Sequence, residues 1–454
     1  MVQVKLFVKD KAFYKSFFTM ALTISLQNIV VYAVNLADNV MIGDYSELSL
    51  SAVAVVNQIQ FMLQMIALGT SNGLTVLTSQ YWGVKKMQPI RRVFAVALTV
   101  GTALSLAVFA AVFFAPTGVL SLLTDQTAVV AEAEKYARIV CFSYIPFVVS
   151  QLLLALMRSV EKVRIGFGVS LVALVTNVTL NYVLIYGKLG APVMGIRGAA
   201  TATLISRLVE LLVVAVYVFA VEKNVKLKLS DLLKVEKIYF KDYIKVGFPL
   251  VLSAGSWGIA MAVQGAILGH LGSETVLSAN SIASTVFQIL SVVAYAAGNA
   301  AGVIIGKTVG ENRIDDVKKY TKTLQMLFVI ISVVSSALLF IFKGFFISLF
   351  KVEPATAELA NMFINILCVT LIGTGYEAPV LGGIVSAGGE TDFVFKNDLI
   401  FMWGIVLPVS LLSAFVFHFP PAVTFACLKA DQVLKCAVAA VKVNRYRWIK
   451  NVTR

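Results

Sequence analysis

Apolar residues in this chain come in long runs separated by short polar breaks. A helix crossing the hydrocarbon core of a bilayer takes about 20 mostly apolar residues. Runs of that length lie at about 17–42, 51–79, 93–115, 136–157, 165–187, 198–221, 244–268, 277–305, 323–347, 358–385, 394–417 and 420–441. The pattern predicts an all-α, polytopic membrane protein with twelve transmembrane helices.

Polar residues inside these runs are the first candidates for function. The first run, FFTMALTISLQNIVVYAVNLADNVMI, holds one acid, Asp38. A carboxylate at the centre of a spanning helix costs roughly 2.5–3.5 kcal/mol on insertion scales, so it is expected to face protein or water. At 100° per residue, Gln27, Val31, Asn35 and Asp38 share a face, and the acid ends a polar stripe. The second run presents Asn57, Gln64, Ser71, Thr75 and Ser79, and the eighth presents Asn280, Ser284 and Gln288. Such stripes face a partner helix or a wet cavity; Gln27, Asn35, Asn57, Gln64, Asn280, Ser284 and Gln288 are therefore candidate cleft residues. Gly69 and Gly73, and Gly298, Gly302 and Gly306, have the spacing of close helix packing. The segment GVIIGKT at 302–308 resembles a phosphate loop, but Ala301 stands where the first glycine belongs and no strand precedes it. Without a nucleotide site, energy for transport has to come from an ion gradient.

The runs fall into two similar halves. SELSLSAVAV at 46–55 and SETVLSANSI at 273–282 share five of ten residues at an offset of 227. Gln80–Tyr–Trp–Gly83 and Lys307–Thr–Val–Gly310 keep the same offset, each followed by a basic segment. Six spans per half is an even number, so the halves insert the same way up, as parallel repeats. The expected division is a bundle at 1–221, a linker at 222–243 and a second bundle with a basic tail at 244–454. With a one-residue gap, Asp38 corresponds to Gln264, so the acid exists in one half only.

Composition sharpens this picture. The chain of 454 residues is 59% apolar and 14% charged, with mean hydropathy +0.87; soluble domains carry about 25% charged residues. The net charge of +14 is spread between apolar runs, which argues against a nucleic-acid partner. With both termini inside, inner segments hold 31 of the 38 basic residues. The other seven are Lys135, Arg138, Lys188, Arg197, Arg207, Lys343 and Lys351. This asymmetry predicts a multi-pass protein of the cell's inner (plasma) membrane with both ends cytoplasmic. The first span, preceded by lysines and followed by no small-residue cleavage site, is expected to be retained.

Cys141, Cys368, Cys427 and Cys436 lie in apolar segments without zinc spacing and are expected to be buried thiols. His270 and His418 have no metal-site or catalytic companions, so no enzyme chemistry is expected. Among charges inside the runs, Arg207 with Glu210 and Asp431 with Lys435 have pairing intervals, and Lys429 lies nearby.

At 177–210 the chain reads NVTLNYVLIYGKLGAPVMGIRGAATATLISRLVE, which strongly resembles the fifth and sixth helices of the multidrug and toxic compound extrusion (MATE) family, bacterial NorM/DinF-like. Asp38–Asn–Val–Met–Ile–Gly43, GLTVLTSQYWG at 73–83 and RYRWIKNVTR at 445–454 resemble it too, and the likeness spans essentially the whole chain. It implies two six-helix bundles around a central cleft, no cofactor, and exchange of small organic cations for H+ or Na+ by a functional monomer in the bilayer. Asp38 then matches the family's coupling acid, Asn177 and Thr203 match neighbouring positions, and Asn181 stands where archaeal members carry a second acid. A carboxylate with amide and hydroxyl oxygens suits a proton or, with water, a monovalent cation. Proton coupling needs surroundings that favour the neutral acid; sodium coupling needs the carboxylate ionised.

The second half departs further. Trp257, eight residues after Pro249, stands where vibrio-type members have an acid. Glu377, on the tenth run, lies roughly where they place another; it reads either as a proton carrier or drug contact, or as a paired structural acid. Gln264 and Glu377 join the candidate cleft. The alternative function is a flippase for lipid-linked saccharide or peptidoglycan precursor, for which a more cationic cleft is expected.

Overall fold

The computed structural model describes residues 7–232, 234–271, 274–350 and 352–453. Residues 1–6, Ser273, Lys351 and Arg454, which enter the arguments above, lie outside them. The described chain is helical, and eleven helices are long and apolar enough to cross a membrane. They are α1 Lys11–Tyr45, α2 Glu47–Gly83, α3 Met87–Phe114, α4 Thr127–Ser159, α5 Arg164–Tyr186, α6 Ile196–Val221, α7 Lys237–His270, α8 Glu274–Gly310, α9 Ile314–Ser348, α10 Pro354–Val385 and α11 Thr391–Val416.

Two of the expected runs need correction. The fourth begins at Thr127 instead of 136, because its charges satisfy one another along the helix. Lys135 pairs with Glu132 at 2.7 Å and Arg138 with Glu134 at 2.6 Å, so polarity that ends the apolar run does not end the helix. The twelfth run is not one helix but two, α12 Pro421–Leu428 and α13 Asp431–Asn444. At the break Lys429 leaves helical geometry, with φ −107° and ψ 4°. Tight turns replace the regular ladder, with Ala430 N donating to Cys427 O at 3.2 Å and Val433 N to Ala430 O at 3.1 Å. Beside the break, Lys429 and Lys435 meet groups on other helices, while Asp431 pairs with Lys435 along α13.

Other helices loosen without breaking. The last turns of α10, Pro379–Val385, are π-helical, as are Ile400–Val406 and Leu412–Val416 of α11. Pro379 and Pro408 stand in or beside these stretches, and proline cannot donate to the carbonyl a turn earlier, which favours such widening.

By packing, the chain forms two compact units. One comprises Leu26–Thr78 and Lys86–Val251, the other Met1–Ser25, Ser79–Lys85 and Leu252–Arg454. Three of the four boundaries fall inside α1, α2 and α7 and the fourth, Lys85/Lys86, in the turn between α2 and α3; residues 222–243 belong to the first of these units. There the basic pair after α2 meets acids of that segment. Arg92 bonds Glu236 at 2.7 Å and approaches Asp231 at 3.6 Å, and Arg91 Nε donates to Val225 O at 2.7 Å. In the same unit α2 packs on α7 through glycine: a Cβ on Gly69 would lie 2.5 Å from Val251 Cα, and one on Gly73 2.5 Å from Gly247 Cα.

The other unit centres on an apolar core of α7, α8, α10, α11 and α12, where Phe363 and Phe425 stack with centroids 4.1 Å apart. Gly298 packs on Pro379 and Gly302 on Gly383, as the glycine spacing predicts. The end of α2 crosses the end of α8 in this unit. A Cβ on Gly83 would collide with Lys307 O, and one on Gly310 with Gln80 O. The offset of 227 relates the two collisions, so the repeat is visible as a reciprocal backbone contact. Gly310→Ala is expected to lower stability by about 1–3 kcal/mol through overpacking, read as a lower melting temperature in detergent. Of the four cysteines, Cys141 and Cys368 are buried as expected, but Cys427 and Cys436, beside the break, are only half-buried.

Candidate functional site

Asp38 lies seven residues before the end of α1 and is half-buried. Its carboxylate Oδ1 accepts a short hydrogen bond from Asn181 Nδ2 of α5. The same amide donates to Asn177 Oδ1 at 3.2 Å, one turn back on α5. Asn177 also reaches Asp38. Both asparagines are buried, 1% and 0% exposed; polar groups at that depth cost several kcal/mol unless partnered, so they are held by their contacts with the acid.

Thr203 of α6, also buried, is linked to this group through Tyr136 of α4. The tyrosine lies beside Thr203 and Gln60 and in the electrostatic field of Asp38. Asn181 Oδ1 and Thr203 Oγ1 are buried without a hydrogen-bond partner. Asp38, Asn177, Asn181 and Thr203 are thus brought to one place, with oxygens to spare. Tyr136 was not legible as a member: it opens an apolar run, and nothing in the pattern separates it from the other tyrosines. One turn after Thr203 on α6, Arg207 lies in the electrostatic field of Asp38 and Tyr136; it pairs with Glu210 at 2.7 Å, as its interval predicts, and lies over Phe147.

The cleft candidates scatter in their surroundings. Gln27 is buried against Gly166 of α5, a packing position. Asn35 is exposed, and Asn57 and Gln64 are half-buried. In the other unit, Ser284 donates to Asn280 Oδ1 at 3.3 Å and Gln288 is exposed. Gln264, the counterpart of Asp38, is buried; it accepts from Lys429 Nζ at 3.2 Å and donates to Met402 Sδ at 3.4 Å. Lys429 also lies over the Phe425 ring at 5.7 Å.

Glu377 belongs to a second group. Lys435, 4% exposed, pairs with Asp431 at 3.3 Å and with Asp398 of α11 at 3.0 Å. Ser253 of α7 donates to Asp398 Oδ2 at 2.5 Å. Buried Glu377 stands in the field of all three charged residues. Three carboxylates therefore face one ammonium. Self-pairing of Asp431 with Lys435 is present but incomplete as an account, because Asp398 shares the lysine. Asp398 carried the same signal as Asp38, an acid inside an apolar run, and the sequence reading passed it over. Each member sits at a backbone irregularity: Glu377 just before the π turn of α10, Asp398 just before that of α11, Asp431 just after the break.

The MatE family model matches residues 23–183 and 251–420, both halves of the repeat. This chain belongs to the MatE family. It is 24% identical over 428 residues to the uncharacterized transporter YisQ of Bacillus subtilis, covering 93% of this chain and 92% of that one. It is 24% identical over 383 residues to the probable multidrug resistance protein NorM of Streptococcus pneumoniae, 84% of each chain. A crystal structure of MATE in complex with MaL6 superposes with a TM-score of 0.85 at 18% identity, covering 98% and 99%.

The MATE fold has twelve helices in two bundles, so α12 and α13 together make the twelfth. As a MATE protein the chain is a membrane transporter, and the two polar groups described above, like the Arg207–Glu210 pair, place charge within its spanning helices.

Proposed function

We propose that this MATE transporter exports cationic amphiphilic organic compounds by alternating access, in exchange for H+ or Na+ bound at Asp38. The observation that carries the reading is the junction of α1 and α5 at Asp38 and Asn181, with Asn177 and unpartnered buried oxygens of Asn181 and Thr203 around it. An ionised carboxylate accepts a charge-assisted hydrogen bond, roughly twice as strong as a neutral one. Neutralising Asp38 with a proton weakens its hold on Asn181; a sodium ion competes for the same oxygens. Either changes how α1 packs on α5, and coupling follows if ion and drug favour different states. The protein is expected to act as a monomer in the inner membrane, both termini cytoplasmic, without a cofactor or nucleic-acid partner. The NorM relative, named as a probable multidrug resistance protein, supports the substrate class.

The test is efflux of a fluorescent organic cation from proteoliposomes under an imposed proton gradient and then a sodium gradient. One gradient is expected to drive transport and so name the ion; transport under neither sinks the antiport reading. Lys429 favours a second reading. Its amine meets the amide oxygen of Gln264 and the ring of Phe425, and such a group suits the diphosphate of a lipid-linked saccharide, which would be flipped rather than exported as a drug.

A further inference from the structure

Residues 445–453 are held by buried contacts. After α13 ends, Tyr446 takes a left-handed turn, φ 54°, and the chain doubles back. Trp448 is wholly buried, donates from Nε1 to Val443 O at 2.8 Å, and fills the space a side chain on Gly388 would need. Lys450 N then donates to Gly388 O at 2.8 Å. Glu390 binds Lys442 at 3.2 Å and also Lys450.

A single buried side chain from α2 completes the attachment. Gln80 Oε1 accepts from Val452 N at 2.9 Å, while Nε2 donates to Ala387 O at 2.8 Å and to Lys450 O at 3.3 Å. Both ends of the amide are used: Oε1 holds the tail backbone at Val452, and Nε2 is shared between the carbonyls of Lys450 and of Ala387, in the helical turn after Val385. Gln80 is also where Gly310 of α8 meets α2 backbone to backbone. The tail, the α10–α11 turn and the ends of α2 and α8 therefore share one residue.

We propose that residues 445–453 are a strap that locks the end of α2 through Gln80, and that the strap lets go once in every transport cycle. The inference rests on the alternating-access reading, in which the crossed ends of α2 and α8 must part. Gln80 acts as a positioning residue: it touches no substrate, and it ties α2 to the tail by hydrogen bonds that can break and re-form without a steric change. The ion pairs at Glu390 keep the strap closed over the working pH range. Burial alone raises its pKa, but hydrogen bonds from Lys450 and Lys442 outweigh that and hold the carboxyl below the usual range. A lowered folded-state value means the contribution is complete above the ordinary glutamate range and is lost only as pH falls through the lowered value.

Two measurements on the full chain in nanodiscs test the strap. With Cys141, Cys368, Cys427 and Cys436 replaced, Ser79→Cys reports on the buried crossing, since Ser79 is 0% exposed. Its alkylation by a water-soluble maleimide is expected to speed up by about tenfold or more in Trp448→Ala, and to return toward the parent rate in Trp448→Phe. An unchanged rate in Trp448→Ala overturns the proposal, and this readout needs no substrate, so it is independent of whether the drug class is right. In proteoliposomes, Gln80→Cys with Val452→Cys, bridged by a short reducible reagent, is expected to lose transport and regain it on reduction. A bridged protein that transports at the unbridged rate also overturns the strap, and that arm does not depend on any destabilising variant folding.

Discussion

Asp38→Asn is expected to abolish gradient-driven transport while leaving the protein folded and inserted. The amide is nearly the same size, so α1 packs as before, and removing a membrane-embedded charge relieves an insertion cost of roughly 2.5–3.5 kcal/mol. What goes is the group that can carry a proton or hold a cation. Linked sites typically couple with about 1–3 kcal/mol, about 5–150-fold in affinity, and all of it is expected to vanish with the carboxylate. The measurement is accumulation of a fluorescent cation in proteoliposomes with and without an ion gradient: the parent responds to the gradient, and the variant gives the same low rate in both. Full gradient-driven transport by Asp38→Asn would remove the acid from the mechanism. Because Asn181 donates to Asp38, its amide can turn to meet the new side chain, so the melting temperature is expected to stay near that of the parent.

Lys435→Met is the most destabilising substitution expected in the chain. It leaves buried Asp431 and Glu377 and half-buried Asp398 around a vanished cation. Breaking a buried pair by removing one partner typically costs about 3–5 kcal/mol, because the remaining charges keep their desolvation penalty and lose their compensation. Adding Asp398→Asn and Asp431→Asn to Lys435→Met is expected to recover much of the loss, since well-packed neutral groups can replace a buried ion pair at little cost. Thermal unfolding of the three proteins in one detergent decides it. If Lys435→Met melts with the parent, the three acids are not held by the lysine, and the group has some other source of compensation.

Most of the architecture was written into the chain. Apolar runs of membrane length must become helices, because only a segment that satisfies its own backbone survives in hydrocarbon. That constraint is local, so eleven of the runs recur as membrane-length helices, the fourth among them starting earlier than its run. The repeat at offset 227 is matched by the reciprocal meeting of Gly83 with Lys307 and Gly310 with Gln80, since similar backbone geometry at equivalent positions packs equivalently. Asp38 announced itself for the same local reason, an acid where acids are costly. Tertiary structure decided the rest. Whether a charge ends a helix or lies along it depends on partners, and at the break in the twelfth run Lys429 meets Gln264 of α7. Asp398, far from Lys435 in sequence, becomes its partner only when α11 lies against α13. Tyr136 joins the Asp38 group only when α4 brings it there. The tail's fate turns on Gln80, 368 positions before Trp448, and no pattern in either stretch reveals that one amide serves both.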